Sequence, residues 1–431
     1  MQEILFKYEV NPTTWAYLSA LLVVGIYFKF RRFWSVRNLD LVGLIAFSPG
    51  LLAIYHGLVP KYVPWLVQSG YVWLMIVGAW FLVRLLIDPI VVRRPLLEPN
   101  LNASGLTFTG VAMLVFLIAN VIIPTSAHRL EDALEAPPRQ GPGYAFFYSF
   151  ATVSDRAPTA EDDEQPEVLR LNRIRAATAR TMAILGHLAV VVGLVLIGYR
   201  HFDNVHAGVA VASLYLLLPY TAQMTGRMDH VIPAALLVWA VEAYRRPVVA
   251  GILLGLAAAV IYYPLFILPL WCSFYWRRGL LRFSTGVISA LLLMVFLLFL
   301  GSDTLEVFGG YLQQMFGAMN PLEAELGGFW NPEFHEPAFR IPVLAAFVAL
   351  CGGLALWPAQ KNLGTLLSCS AAVMLGTQFW QADQGGTYMA WYLPLLLLTI
   401  FRPNLEDRVA LTALTEGWVP RWKKLKEKPT P

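Results

Sequence analysis

Between Pro247 and Trp276 the chain reads PVVAGILLGLAAAVIYYPLFILPLWCSFYW, thirty residues without a charge, bounded by Arg245-Arg246 before it and Arg277-Arg278 after it. As one helix it would run about 45 Å, well beyond a hydrocarbon core of about 30 Å. It would also put the two arginine pairs on opposite faces, although cytoplasmic loops are the ones enriched in Lys and Arg. Tyr262-Tyr263-Pro264 supplies a break near the middle, and a hairpin of two short helices brings both pairs to one side. Each arm then rises about 22 Å, so the turn stops short of the far surface, where non-helical backbone is tolerated only against protein or a watery cavity. The hairpin predicts a cavity open to the outside.

Composition agrees with a membrane setting. With 57% hydrophobic and 14% charged residues and a mean hydropathy of +0.57 over 431 residues, a soluble globular protein is excluded and a polytopic, all-α membrane bundle is expected. Apolar runs at 13–28, 40–58, 71–90, 105–123, 181–199, 205–222, 231–244, 248–262, 264–276, 283–300, 341–357, 362–380 and 386–401 predict about thirteen transmembrane helices. An outside N-terminus gives one face about two-thirds of the 32 basic residues and only about one-third of the 28 acidic ones, so the positive-inside rule makes that face and the C-terminus cytoplasmic. The N-terminal segment lacks a basic n-region and a cleavage site, which predicts that the first apolar run is retained. Cys272, Cys351 and Cys369 lie in or beside apolar runs and read as small hydrophobes rather than disulfide or metal partners.

Several features carry two readings. The tail Trp418–Lys428 (WVPRWKKLKEK) reads as an interfacial anchor on anionic lipid or as a solvated tail. Arg84 and Asp88, four apart, are placed to pair within the third helix. His187 is a helix-packing residue or a site residue. The first large outer loop, 124–180, holds Glu131 and Asp132, an acidic run from Glu161 to Glu167, and a basic segment Leu169–Arg180 with Arg173 and Arg175. That segment is either an amphipathic interfacial helix whose arginines reach phosphates or a plain lead-in to the fifth helix. The second outer loop, 301–340, carries six acids and one base, Arg340; its aromatic and Gly content predicts order. The short outer turn Thr225–His230 sets Arg227, Asp229 and His230 at the head of a short helix, as a site or as an ordinary interfacial turn. Gln381–Gly386, with Asp383, is a weaker candidate.

Residues Leu216–Trp271 combine an outer turn ending in Asp229, a short helix, Arg245-Arg246-Pro247, Ala250-Gly251 with Gly255, and a Tyr-Pro turn before a Leu/Pro-rich return helix. In this they resemble the middle of the integral-membrane GT-C superfamily glycosyltransferases, in particular the bacterial polyprenyl-phosphate-mannose-dependent branch. Ala390–Arg408 (AWYLPLLLLTIFRPNLEDR) resembles the last helix of such proteins, and helix 105–123, loop 124–180 and helix 181–199 have the form of their catalytic outer loop. That branch commonly carries a lysine just before the Tyr-Pro turn; this chain has Ile261. The resemblance implies a three-helix N-terminal module (1–104), a GT-C-like core (105–300), an outer loop (301–340), C-terminal membrane helices (341–402) and a cytoplasmic basic tail (403–431). It further implies a plasma-membrane enzyme, bacterial inner membrane by analogy, with a polyprenyl-phosphate sugar and membrane lipids as partners.

The chemistry then requires a carboxylate to accept the acceptor hydroxyl's proton and positive charge for the departing phosphate. Asp132 is the first candidate for the base by position, with Glu131 and Asp229 as alternatives. Arg227 and His230 are expected to bind phosphate or orient the acceptor, Arg173 and Arg175 to contact phosphate, and Tyr262 and Tyr263 to line the site. No nucleotide-binding loop or zinc motif is present in the sequence, which suits a lipid-linked donor, leaves divalent-metal use open and implies no nucleic-acid partner. A transporter or lipid flippase fits the same hydropathy, although no internal repeat is visible, and a non-catalytic membrane subunit is the third reading.

Overall fold

The computed structural model describes residues 11–59, 61–90, 98–122, 134, 166–276, 278–300, 302, 304–306, 308–310, 326–358 and 361–403, with the side chains of 166–176 outside that set. Among the described residues all regular structure is helical. The α-helices are α1 Pro12–Tyr27, α2 Val36–Leu58, α3 Pro64–Ile87, α4 Ala103–Ile122, α5 Pro166–Arg200, α6 Val205–Leu217, α7 Pro219–Gln223, α8 Met228–Glu242, α9 Pro247–Val260, α10 Leu268–Tyr275, α11 Leu280–Leu300, α12 Arg340–Leu356, α13 Leu363–Trp380 and α14 Leu393–Phe401. Among the described residues seven helical stretches, around α2, α3, α4, α5, α11, α12 and α13, are long and apolar enough to cross a membrane; α1, α6, α9 and the Tyr263–Tyr275 stretch are shorter apolar helices.

Local chemistry sets the boundaries. Asn11 caps α1 through its side chain on the Thr13 N–H (2.9 Å), with Pro12 opening the helix. Asn362 and Thr365 form a reciprocal capping box at α13. Pro219 forces Leu218 into an extended conformation, so the run expected as one helix over 205–222 is split into α6 and α7. The basic segment Leu169–Arg180 is not a separate interfacial helix: it is continuous with the following span in the 35-residue α5. At about 1.5 Å per residue that helix exceeds a hydrocarbon core by about 20 Å, so the basic half extends the span beyond it.

Close glycine contacts fix the hairpin. Gly251 lies against the Phe283 carbonyl and Gly286 against that of Val248, approaches that any Cβ would obstruct, and Gly279 sits against Pro247. These pairings advance together along α9 and α11, so the two helices run parallel with their N-termini at one end. The intervening chain must go out and return. Extended Ile261 ends α9, a 3₁₀ turn spans Tyr263–Ile267, and α10 comes back to place Tyr275 Oη on the Tyr244 carbonyl (2.5 Å).

Successive elements thus alternate between two ends. One gathers Lys29, Arg84, Arg200, Arg245, Arg278, Lys361 and Arg402 and is here called the basic end. Its interior holds a buried ion cluster: Arg84 donates to both oxygens of Asp40 (3.0 and 3.1 Å) and to Asp88 (3.0 Å), and Arg402 donates to the other Asp88 oxygen (2.5 Å). The expected Arg84–Asp88 pair is present, and it also ties α2 and α3 to the end of α14.

Candidate functional site

The opposite end holds the candidate site. Arg227, immediately before α8, grips the Asp229 carboxylate with two parallel hydrogen bonds, Nε to Oδ1 and Nη2 to Oδ2, both 3.0 Å. Asp229 lies in the first turn of α8, where the helix dipole favours a negative charge. Its backbone carbonyl accepts from Trp391 Nε1 at 3.1 Å, which locks α8 to the turn before α14. The neighbouring His230 is fully buried, with Nδ1 2.5 Å from Tyr220 Oη. Its other nitrogen, Nε2, is buried without a hydrogen-bond partner among the described residues and lies 3.6 Å from Asp229 Oδ2. A buried polar atom of this kind costs about 1–3 kcal/mol, so it is a place where the fold forgoes stability.

Tyr262 and Tyr263 belong to the same layer. Their rings stack at 4.2 Å, and Tyr263 touches Trp391 (5.0 Å) and Trp380 (5.6 Å). Tyr388 then bridges Trp391 (4.4 Å) and the His230 ring (4.5 Å). The hairpin tip, the head of α8 and the segment before α14 therefore converge on one aromatic wall. That packing corrects the expected cavity. Tyr262 and Tyr263 are 1% and 4% exposed, so protein, not water, satisfies the surroundings of the turn. Among the described residues a small cavity lined by Leu44, Ser48, Tyr220 and Met389 leaves about 10 Å³ on the far side of Tyr220 from His230, and one beside His187 leaves none.

Of the other sequence candidates, Asp132 and Glu131 lie outside the described residues. Arg173 and Arg175 fall in the N-terminal half of α5, with their side chains outside the described set. His187 is a packing residue: Nε2 faces the Thr225 carbonyl (3.1 Å) and must donate to it, leaving Nδ1 to accept from Tyr215 Oη (3.0 Å). Among the described residues no three His, Cys, Asp or Glu side chains converge to hold a metal.

Sequence reasoning missed several members of the site. Arg340, known only as the lone base of the second outer loop, is 2% exposed; its Nε donates to the Trp380 carbonyl (2.6 Å) with the guanidinium 5.9 Å from the Trp380 ring. Gln381, in the turn rated weaker, is 1% exposed with both amide atoms unpartnered among the described residues. Gln378 organises that turn by accepting from the N–H groups of Gly386 (3.1 Å) and Tyr388 (3.2 Å). The second outer loop is ordered over 326–340: Gln68 from α3 holds the Phe329 carbonyl (3.0 Å) and His335 (2.9 Å), and Trp330 Nε1 donates to the Phe379 carbonyl (2.9 Å). No family model, curated protein or solved structure matches the chain.

Proposed function

We propose that the chain is a polytopic plasma-membrane glycosyltransferase in which all thirteen apolar segments take part in crossing. In this reading the basic end is cytoplasmic and the aromatic end faces outward. It moves a sugar, mannose by the resemblance, from a polyprenyl phosphate to an acceptor hydroxyl. The bond from the sugar C1 to the phosphate oxygen breaks, the bond from C1 to the acceptor oxygen forms, the acceptor proton passes to a carboxylate, and polyprenyl phosphate leaves.

The observation that carries the reading is the Arg227–Asp229–His230 group, buried beside an aromatic wall at the end away from the basic residues. Aromatic faces suit the apolar faces of a pyranose, and an imidazole nitrogen without a partner suits a hydroxyl. Both Asp229 oxygens are already held by Arg227, which lowers their basicity. Asp229 therefore serves better to position Arg227 and His230, and the base falls to Asp132, with Glu131 next. Arg227, with Arg173 and Arg175, supplies positive charge for the leaving phosphate.

Purified protein given a polyprenyl-phosphate sugar and membrane glycolipid acceptors should transfer the sugar, and His230→Gln should weaken acceptor use more than donor binding. Movement of lipid across the bilayer without any new glycosidic bond would instead place the protein among transporters.

A further inference from the structure

The connection between α1 and α2 is Lys29-Phe30-Arg31-Arg32-Phe33-Trp34, at the basic end. Phe30, Phe33 and Trp34 are 69%, 57% and 81% exposed, and Arg31 and Arg32 are exposed between them. Such a run would ordinarily be a pliable, poorly placed loop. Here it is built. Asn38, 1% exposed, donates through its amide to the carbonyls of Lys29 (3.0 Å), Arg32 (3.0 Å) and Phe33 (3.1 Å) and accepts from the Lys29 N–H (3.1 Å). Asn100 secures the other flank through the carbonyls of Gly25 (3.0 Å) and Phe28 (3.1 Å) and through the Lys29 ammonium (2.9 Å). With the carbonyls of Lys29, Arg32 and Phe33 satisfied from within, the loop is suited to low water activity. Phe30 and Phe33 each rest one side of the ring on the buried Phe28 (5.2 Å between centroids) and leave more than half of their surface exposed. Among the described residues neither guanidinium is engaged by a carboxylate.

We propose that this loop is a docking surface for anionic phospholipid at the basic end, independent of the transferase reading. The three rings seat at the boundary between headgroups and acyl chains, where amphipathic aromatic side chains are favoured. Arg31 and Arg32 present forked donors at the depth of the phosphates, a geometry that suits phosphate oxygens. Charge complementarity selects lipids with a net negative headgroup over zwitterionic ones, since a zwitterionic phosphate is already neutralised by its own cation. The preset backbone means that little ordering cost is incurred on docking.

The test uses the purified full chain with phosphatidylglycerol and phosphatidylcholine as probes, their apparent affinities read by native mass spectrometry and thermal shift. The wild type should prefer phosphatidylglycerol. Arg31→Gln with Arg32→Gln should weaken phosphatidylglycerol binding about 25-fold at low salt, about five-fold per arginine, and leave phosphatidylcholine unchanged. Raising salt to about 1 M, where the screening length is about 3 Å, should remove the wild-type preference. Phe33→Ala with Trp34→Ala should weaken both lipids alike. Three results would overturn the proposal: no lipid preference in the wild type, a preference that survives loss of both arginines, or an equal loss from Arg278→Gln with Arg282→Gln at the same end.

Discussion

The two ends of the molecule each bury an ionic group, and the two groups are finished differently. At the basic end two arginines meet two aspartates, and all four carboxylate oxygens of Asp40 and Asp88 accept a hydrogen bond from Arg84 or Arg402, with Arg402 Nε left without a hydrogen-bond partner among the described residues. At the aromatic end Arg227 satisfies Asp229, but the adjoining His230 Nε2 and both amide atoms of Gln381 are buried with no hydrogen-bond partner among the described residues. Balanced charge suits a clasp between helices. Uncharged side chains with both donor and acceptor capacity left over, as on His230 and Gln381, suit a site whose missing contacts come from something else.

The clasp should give the largest stability effect. Asp88→Asn leaves Arg84 on Asp40 and takes from Arg402 the carboxylate it is paired with, and breaking a buried pair in this way costs about 3–5 kcal/mol. Thermal unfolding in detergent should show it. Arg402→Met should cost less, because Asp88 keeps its hydrogen bond from Arg84, which then serves both carboxylates; an equal loss would mean that the four groups do not act as described. Next in size is the helix contact that fixes the hairpin. Gly251→Val drives side-chain atoms into the Phe283 carbonyl and should cost about 1–3 kcal/mol, or more if α9 and α11 separate. Cysteines placed at 246 and 278 should label from the same face of the membrane, and labelling from opposite faces would contradict the parallel packing.

The aromatic end should respond in the reverse sense, with small changes in stability. Replacing His230 and Tyr220 together by Phe removes both partners of one buried hydrogen bond, which is close to neutral, so unfolding should shift by less than about 1 kcal/mol. A loss as large as that of Asp88→Asn would make His230 another structural residue and erase the distinction. The smallest effect concerns His201, in the connection after α5, whose Nε2 donates to the Glu242 carbonyl at 2.8 Å. Burial there pushes its pKa below the usual 6.5 despite the opposing pull of that bond. Its neutral form is favoured in the folded state, so its contribution is present above about pH 6.5 and is lost as pH falls toward the lowered folded value. His201→Asn should flatten the decline in stability between about pH 7 and 5.

Much of the fold was legible because hydropathy and arginine placement act locally. The arginine pairs around 247–276 and the Tyr262-Tyr263-Pro264 break led to the hairpin that α9 and α11 display. Arg84 and Asp88 were legible because four residues are one helical turn. The site was legible where its members are neighbours in sequence, as Arg227, Asp229 and His230 are, and where the resemblance pointed to the Tyr262-Tyr263 turn. Trp391 reaches Asp229 across 162 residues and Arg340 reaches Trp380 across 40, and no spacing rule marks such pairs. The expected cavity failed for the same reason: a shallow turn needs protein or water beside it, and the indole rings that supply the protein come from a distant part of the chain.

The most direct test of the account is transfer itself. Purified wild type, Asp132→Asn and Asp229→Asn, matched for folding, should be given a polyprenyl-phosphate sugar with membrane glycolipid acceptors and followed for new glycosidic product. The account predicts transfer by the wild type, a loss of about 10²–10⁴ in rate for Asp132→Asn, as expected when a general base is removed, and a smaller loss for Asp229→Asn. Absence of any glycosidic product from well-folded wild type across these acceptors, or full activity in both variants, would contradict it.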